Sequence, residues 1–209
     1  MPELNDNLPY QTMLSAAVER LKDKDVYAAA ARAGMTCDPE RQTIDFISFG
    51  ERGRLSLPDY RVEGSFTVWQ HIAILQYLER KTMPLPIGEW VAISTLEPGA
   101  ASRGESFDRK INEYAANRLG RFPEATISAA FQRLGGEPIK YRNADLSAVF
   151  SFLPHYPYLF NFWVADDEFP ASGKILIDAA AGRCLGLEAA GTMAELLVDK
   201  LCRSCEANA

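Results

Sequence analysis

Secretory and membrane-spanning signatures are both missing from this 209-residue sequence. Its opening, MPELNDNLPYQTM, has no cationic start followed by an apolar stretch, so nothing resembles an export signal. No apolar run approaches the roughly 18 to 20 residues that span a bilayer, the nearest being the strand-like YLFNFWVA. Four cysteines in a chain of this length are too few for a disulfide scaffold. Together these absences predict a cytoplasmic protein with reduced thiols. A net charge of -6 argues against general affinity for nucleic acid or anionic membrane, although a local basic patch is compatible with it. Phosphate loops ending in GK[ST], G-x-S-x-G elbows, H-E-x-x-H helices and G-x-G-x-x-G turns are also missing, which removes the support for common hydrolase, metalloprotease and dinucleotide readings.

With 47% hydrophobic and 24% charged residues, the composition is that of a globular chain with apolar mass for a substantial core. There is no repeat, long linker or low-complexity block, so one domain over residues 1–209 is expected. The segment from about Leu8 to Ala33 predicts a helix or a broken pair, stopped at Gly34. RQTIDFISFG alternates as a strand through Ile44 and Phe46, and GERGR turns it back as a hairpin. Ser65 is placed to cap a helix with a broad apolar stripe, FTVWQHIAILQYLERK. EWVAIS reads as a short strand, LEPGAASRGE as a glycine-bearing loop, FDRKINEYAANRLG as a helix, and FPEATISAAFQRLG as a further helix introduced by Pro123.

After Gly136 the period changes to two. In DLSAVFSFLP, residues Leu146, Ala148, Phe150 and Phe152 share one side; EPIKY, YPYLFNFWVA and KILID add strands before a C-terminal helix, AGTMAELLVDKLCRSC. The predicted class is α+β, with a largely antiparallel sheet formed mainly by the C-terminal third and packed against helices from the first two thirds and the C-terminal helix.

The acidic stretch ADDEFPASG is the first candidate site. Closely spaced carboxylates suit a hard cation, and Asp178 would join Asp166 and Glu168 if the flanking strands pair; Asp167, with a carboxylate on either side, is the catalytic candidate. The other reading is a solvated turn pinned to the core by Phe169 and Pro170, with Asp178 capping a helix or turn. Cys202 and Cys205 form a C-x-x-C, yet at a helix C-terminus, where the dipole does not favour a thiolate; a four-cysteine site would have to recruit Cys37 and Cys184, otherwise small packing residues. His71 lies on a mainly apolar helix as a structural residue, whereas His155, in a turn between strands, is accessible and is the candidate ligand for a corrinoid or other tetrapyrrole metal. Arg103, near a helix start after the Pro98-Gly99 loop, is a candidate anion contact.

Two long segments, QYLERKTMPLPIGEWVAISTLEPGAASRGESF and SFLPHYPYLFNFWVADDEFPASGKILIDAAAGRCLGLEAA, carry a resemblance. A tyrosine-leucine helix end, a short tryptophan strand, a proline-glycine loop, a leucine-proline turn, an aromatic strand, a DEFP segment and a strand ending in Asp occur in order. Over roughly 66–200 the chain resembles the bacterial and archaeal family called domain of unknown function 3786. That resemblance implies anaerobic metabolism, in company with corrinoid and iron-sulfur one-carbon systems; the four-cysteine module fused to some similar proteins is absent from this chain. It brings no catalytic residue, only a candidate surface at 166–170 with Asp178 and the Pro98-Gly99 loop.

Three function classes follow. The first is an accessory or ligand-binding protein of anaerobic metabolism. The second is an enzyme using the acidic loop 166–168 with a divalent cation. The third is an interaction module whose edge strands or C-terminal helix dock a protein partner or a second copy as a homodimer.

Overall fold

A computed structural model describes residues 8–96 and 101–207, with the side chains of 8 and 101–106 outside the description. The strands form two antiparallel sheets. The smaller runs in sequence order through β1 (Thr36–Asp38), β2 (Thr43–Ser48), β3 (Glu51–Ser56) and β4 (Arg61–Glu63). The larger has β5 (Trp90–Ala92) at one edge and β6 (Glu137–Pro138) at the other. Between them, from the β6 side, lie β7 (Leu146–Leu153), β8 (Tyr156–Trp163) and β9 (Ser172–Asp178). Helices α1 (Leu8–Glu19), α2 (Val26–Arg32), α3 (Val68–Leu78), α4 (Ala101–Leu119), α5 (Glu124–Arg133) and α6 (Leu187–Glu206) complete an α+β fold. Among the described residues no helix is long and apolar enough to cross a membrane.

The larger sheet is set by aromatic alternation. Register pairs Ala148 with Phe160, Phe150 with Tyr158, Phe160 with Ile175 and Tyr158 with Ile177, which collects the bulky side chains on one face. Helices cover that face: the Phe131 ring from α5 meets Phe150 and Phe160 at centroid distances of 5.2 and 5.5 Å, and Tyr158 Oη donates to the Ala190 carbonyl of α6 at 2.8 Å. Such edge-to-face and tilted contacts each add about 1 kcal/mol beyond area burial.

The hairpin of the small sheet reaches the aromatic face of the larger one through Phe49. Phe49 and Gly50 form the two-residue β2–β3 turn with φ of 47° and 77°, the left-handed pair of a type I′ hairpin. A phenylalanine in that conformation is unusual, and packing explains it: the buried Phe49 ring lies 5.7 Å from Phe152 and 6.1 Å from Tyr158, while its N–H donates to the Ser151 carbonyl at 2.8 Å. The turn is therefore Phe49-Gly50, and GERGR, expected to turn, is mostly strand.

Two helix starts also differ from expectation. Thr67, not Ser65, caps α3, because its hydroxyl accepts from Gln70 N while Gln70 Oε1 accepts from Thr67 N, a reciprocal box that Ser65 is too far back to make. Helix α4 begins at Ala101, inside the expected loop; one mid-helix glycine, Gly104, costs only about 1 kcal/mol relative to alanine and does not stop it.

Helices α4 and α6 cross closely at Gly191, where an added Cβ would stand 2.1 Å from Phe107 Cζ. We expect Gly191→Ala to lower the unfolding free energy by about 2 kcal/mol through forced displacement of that ring. A urea midpoint unchanged from the parent would show that the ring yields freely.

Candidate functional site

The acidic loop closes on itself. Asp166 Oδ1 accepts from the backbone N–H of Glu168 at 2.9 Å and of Phe169 at 2.7 Å, and Asp166 N donates back to the Phe169 carbonyl at 3.0 Å. Residues 165–170 are all exposed, and Phe169, at 66% exposure, does not pin the loop to the core. Those two N–H bonds hold the Asp166 carboxyl below its ordinary 3.8. A depressed folded value means the turn's stabilisation is complete above 3.8 and is lost as pH falls through the lower folded value. The amide resonances of Glu168 and Phe169 should accordingly titrate together with a midpoint under 3.8; a midpoint above it would show that the turn does not hold the carboxylate.

Asp178 does not join these acids. It ends β9, whose 7 residues put it about 20 Å from the loop at ~3.3 Å per residue. There it is fully buried: Oδ2 accepts from Ile87 N and Gly88 N at 2.9 and 2.8 Å, and Oδ1 accepts from Ala180 N and Ala181 N at 3.0 Å each. Its Oδ1 closes the turn that leads into the 3-10 helix Ala181–Cys184, and its Oδ2 latches the loop before β5.

The cysteines are dispersed as well. Cys202 and Cys205 are buried in the last turns of α6, near the carbonyls of Arg118 and Thr126; burial, reinforced by Cys202, pushes the Cys205 thiol up to about 11. Cys37 lies by the Tyr27 carbonyl and Cys184 by that of Thr82. Among the described residues no three His, Cys, Asp or Glu side chains gather as metal ligands. His71 Nε2 hydrogen-bonds the Tyr60 carbonyl at 2.6 Å, and burial pulls its pKa down, as a structural histidine. The Arg103 side chain and the Pro98-Gly99 loop lie outside the described residues.

A wide concavity lies elsewhere, in a groove of about 980 Å³ between the outer face of the small sheet and the β6–β7 end of the large one. Its floor is a cross-strand row. Register places Thr36 opposite Asp45, Asp45 opposite Arg54 and Arg54 opposite Glu63, so four strands contribute one polar side chain each. Arg54 grips Asp45 with Nε at 2.6 Å and Nη2 at 3.1 Å, which lowers the Asp45 pKa, and Arg61 pairs with Glu63 at 3.2 Å. Two residues along, on the same face, Ile47 lies opposite Arg52. Ile47 is 53% exposed, and Arg52 has no ion pair among the described residues.

Backbone lines the groove's inner wall. Gly50 of the hairpin turn and Gly135 after α5 meet back to back: a Cβ at Gly50 would stand 2.6 Å from the Leu134 carbonyl oxygen, and one at Gly135 would stand 3.3 Å from Gly50 Cα. Gly34, Gly53 and Gly64 also border the groove, and the space a Cβ would take at them is filled by His155 and Pro154, by Phe46 and Phe66, and by Phe66. His155 adjoins its rim, since a Cβ at Gly34 would stand 2.9 Å from His155 Nε2, and this imidazole has no hydrogen-bond partner among the described residues. Of the expected site residues that the structure describes, His155 borders the groove and the others do not. The residues missed, Ile47 and Arg52, had one signal in the sequence: TIDFIS puts an isoleucine on the face otherwise carrying Thr43 and Asp45.

A family model described as domain of unknown function (DUF3786) matches residues 25–200, a longer span than the segments that carried the sequence resemblance, and it takes in both sheets. No curated protein and no solved structure matches the chain.

Proposed function

The chain belongs to the family of domain of unknown function 3786, and on that premise we propose that it is a cytoplasmic ligand-binding accessory protein whose site is the groove on the small sheet. The observation that carries this reading is the cross-strand pairing, in the groove, of exposed Ile47 with Arg52, which has no ion pair among the described residues. The isoleucine removes apolar surface from water, and the guanidinium receives a carboxylate or phosphate in its planar fork. The matching ligand is a partly apolar molecule with anionic substituents.

Corrinoids and other tetrapyrroles are the first candidates, within the anaerobic one-carbon and iron-sulfur metabolism that the sequence resemblance implies. The groove residues fit the macrocycle in kind, Ile47 for its face and Arg52 for an acidic substituent, while the half-buried His155, packed against Gly34, is the imidazole beside the groove. Bound there, such a group would supply the redox or methyl-carrying chemistry, while the chain binds, orients and shields it.

Purification without oxygen, followed by absorption spectroscopy and native mass measurement, tests the reading. A coloured preparation, or a spectral shift on adding haem or hydroxocobalamin at one equivalent, is expected. Colourless, ligand-free protein that ignores both additions would overturn it.

A further inference from the structure

We infer a second binding site, for the phosphate group of a small phosphorylated molecule, in the cleft between the C-terminal end of α3 and the 3-10 turn Ala181–Cys184. In a chain of net charge -6, this cleft gathers Arg80, Lys81 and Arg183, none of which forms an ion pair among the described residues. Their acidic neighbour Glu79 is already engaged, by Arg20 Nε at 2.9 Å and by Lys24 Nζ at 3.7 Å. Glu188 on the far wall is the carboxylate that remains in the cleft among the described residues, and Glu89 shares an adjoining cavity with Arg183, so three cations face two anions and the cleft keeps a local positive excess. A phosphate group, with several acceptor oxygens for two guanidinium forks and an ammonium, suits these donors better than a single carboxylate.

The cleft has shape as well as charge. Cavities of about 640 and 320 Å³ adjoin at Arg80 and Thr82, which line both, and Cys184 forms part of the smaller one. Arg80 Nε donates to the Cys184 carbonyl at 2.8 Å, which holds the guanidinium against the cleft while its two Nη groups have no partner among the described residues. Burial raises the Cys184 thiol pKa, so the floor brings no negative charge of its own. On the opposite side, Pro84 stands on the loop that Asp178 latches through Ile87 and Gly88, so the wall is fixed before any ligand arrives. Next to Cys184, the wholly buried Tyr77 phenol has no hydrogen-bond partner among the described residues, a donor left free in the layer that supports the floor.

Calorimetric titration of the full chain with inorganic pyrophosphate at low ionic strength tests the assignment. One saturable site is expected, at least tenfold weaker in Arg80→Gln and in Arg183→Gln. Because Arg183 is exposed, its variant keeps the parental fold and the comparison stands even if loss of the Arg80 anchor loosens the turn. Tyr77→Phe removes an unsatisfied buried group beneath the floor and should leave melting unchanged or slightly raised. Absence of saturable binding to the parent, equal affinity in Arg183→Gln, or citrate bound as tightly as pyrophosphate would each overturn the phosphate assignment. Arg52→Glu, in the other groove, should leave pyrophosphate binding unchanged, so this site and the proposed ligand groove fail independently.

Discussion

Asp178→Ala is expected to lower the unfolding free energy by about 4 kcal/mol, a loss at the upper end of what single substitutions cause. The carboxylate is fully buried, has no ion pair among the described residues, and is held by four backbone N–H groups from two segments more than 90 positions apart at their widest separation. Each donor left unsatisfied in the interior costs about 1–3 kcal/mol. Ile87 and Gly88 are exposed and can recover water, so the cost concentrates at Ala181, which is buried, and in the freed loop. Asp178→Asn should fall between, because one oxygen keeps two bonds while the amide NH₂ confronts the other two donors. Urea denaturation gives the free energies, and amide exchange at Ile87 and Gly88 should accelerate in both variants. A loss below about 1 kcal/mol for alanine would show that the loop holds without its latch.

The second large effect concerns binding with stability untouched. Arg52→Glu should weaken haem or hydroxocobalamin at least tenfold, yet shift the melting temperature by no more than about 1 °C, since exposed substitutions away from caps and cores usually lie within about 0.5 kcal/mol. The distinction follows from position: Arg52 is exposed on the outer face of β3 and pairs with no carboxylate among the described residues, whereas neighbouring Arg54 is gripped by Asp45. Charge reversal removes the guanidinium that the floor offers to a ligand and sets a repulsive charge in its place. Equal affinity in parent and variant would remove Arg52 from the site; a large fall in melting temperature would mean that its role is structural.

The larger sheet was legible because period two in LSAVFSFL and aromatics at every second position from Tyr156 to Phe162 in YPYLFNFW leave few alternatives, and the structure puts Ala148, Phe150 and Phe152 on one face as that alternation requires. The small sheet was half visible. β1 and β4 have 3 residues each, too short for a period to register, and its turn falls at a phenylalanine that only tertiary contact holds in a left-handed conformation. Asp178 was legible as a cap, though not as a latch on a loop 90 positions earlier.

The acidic run drew attention as consecutive carboxylates, but a chain direction reversed by Asp166's own hydrogen bonds leaves Asp167 and Glu168 in solvent. The groove floor was hidden because its row takes one residue from each of four strands. Thr36, Asp45, Arg54 and Glu63 follow one another at intervals of nine, a spacing that becomes a row only once the three hairpin registers are known.

Amide hydrogen exchange of the whole chain, with and without saturating haem or hydroxocobalamin, tests the groove assignment most directly. Protection confined to 34–36, 45–54, 63–64 and 135–137 is the predicted result. Protection elsewhere, or none with either ligand, would contradict it.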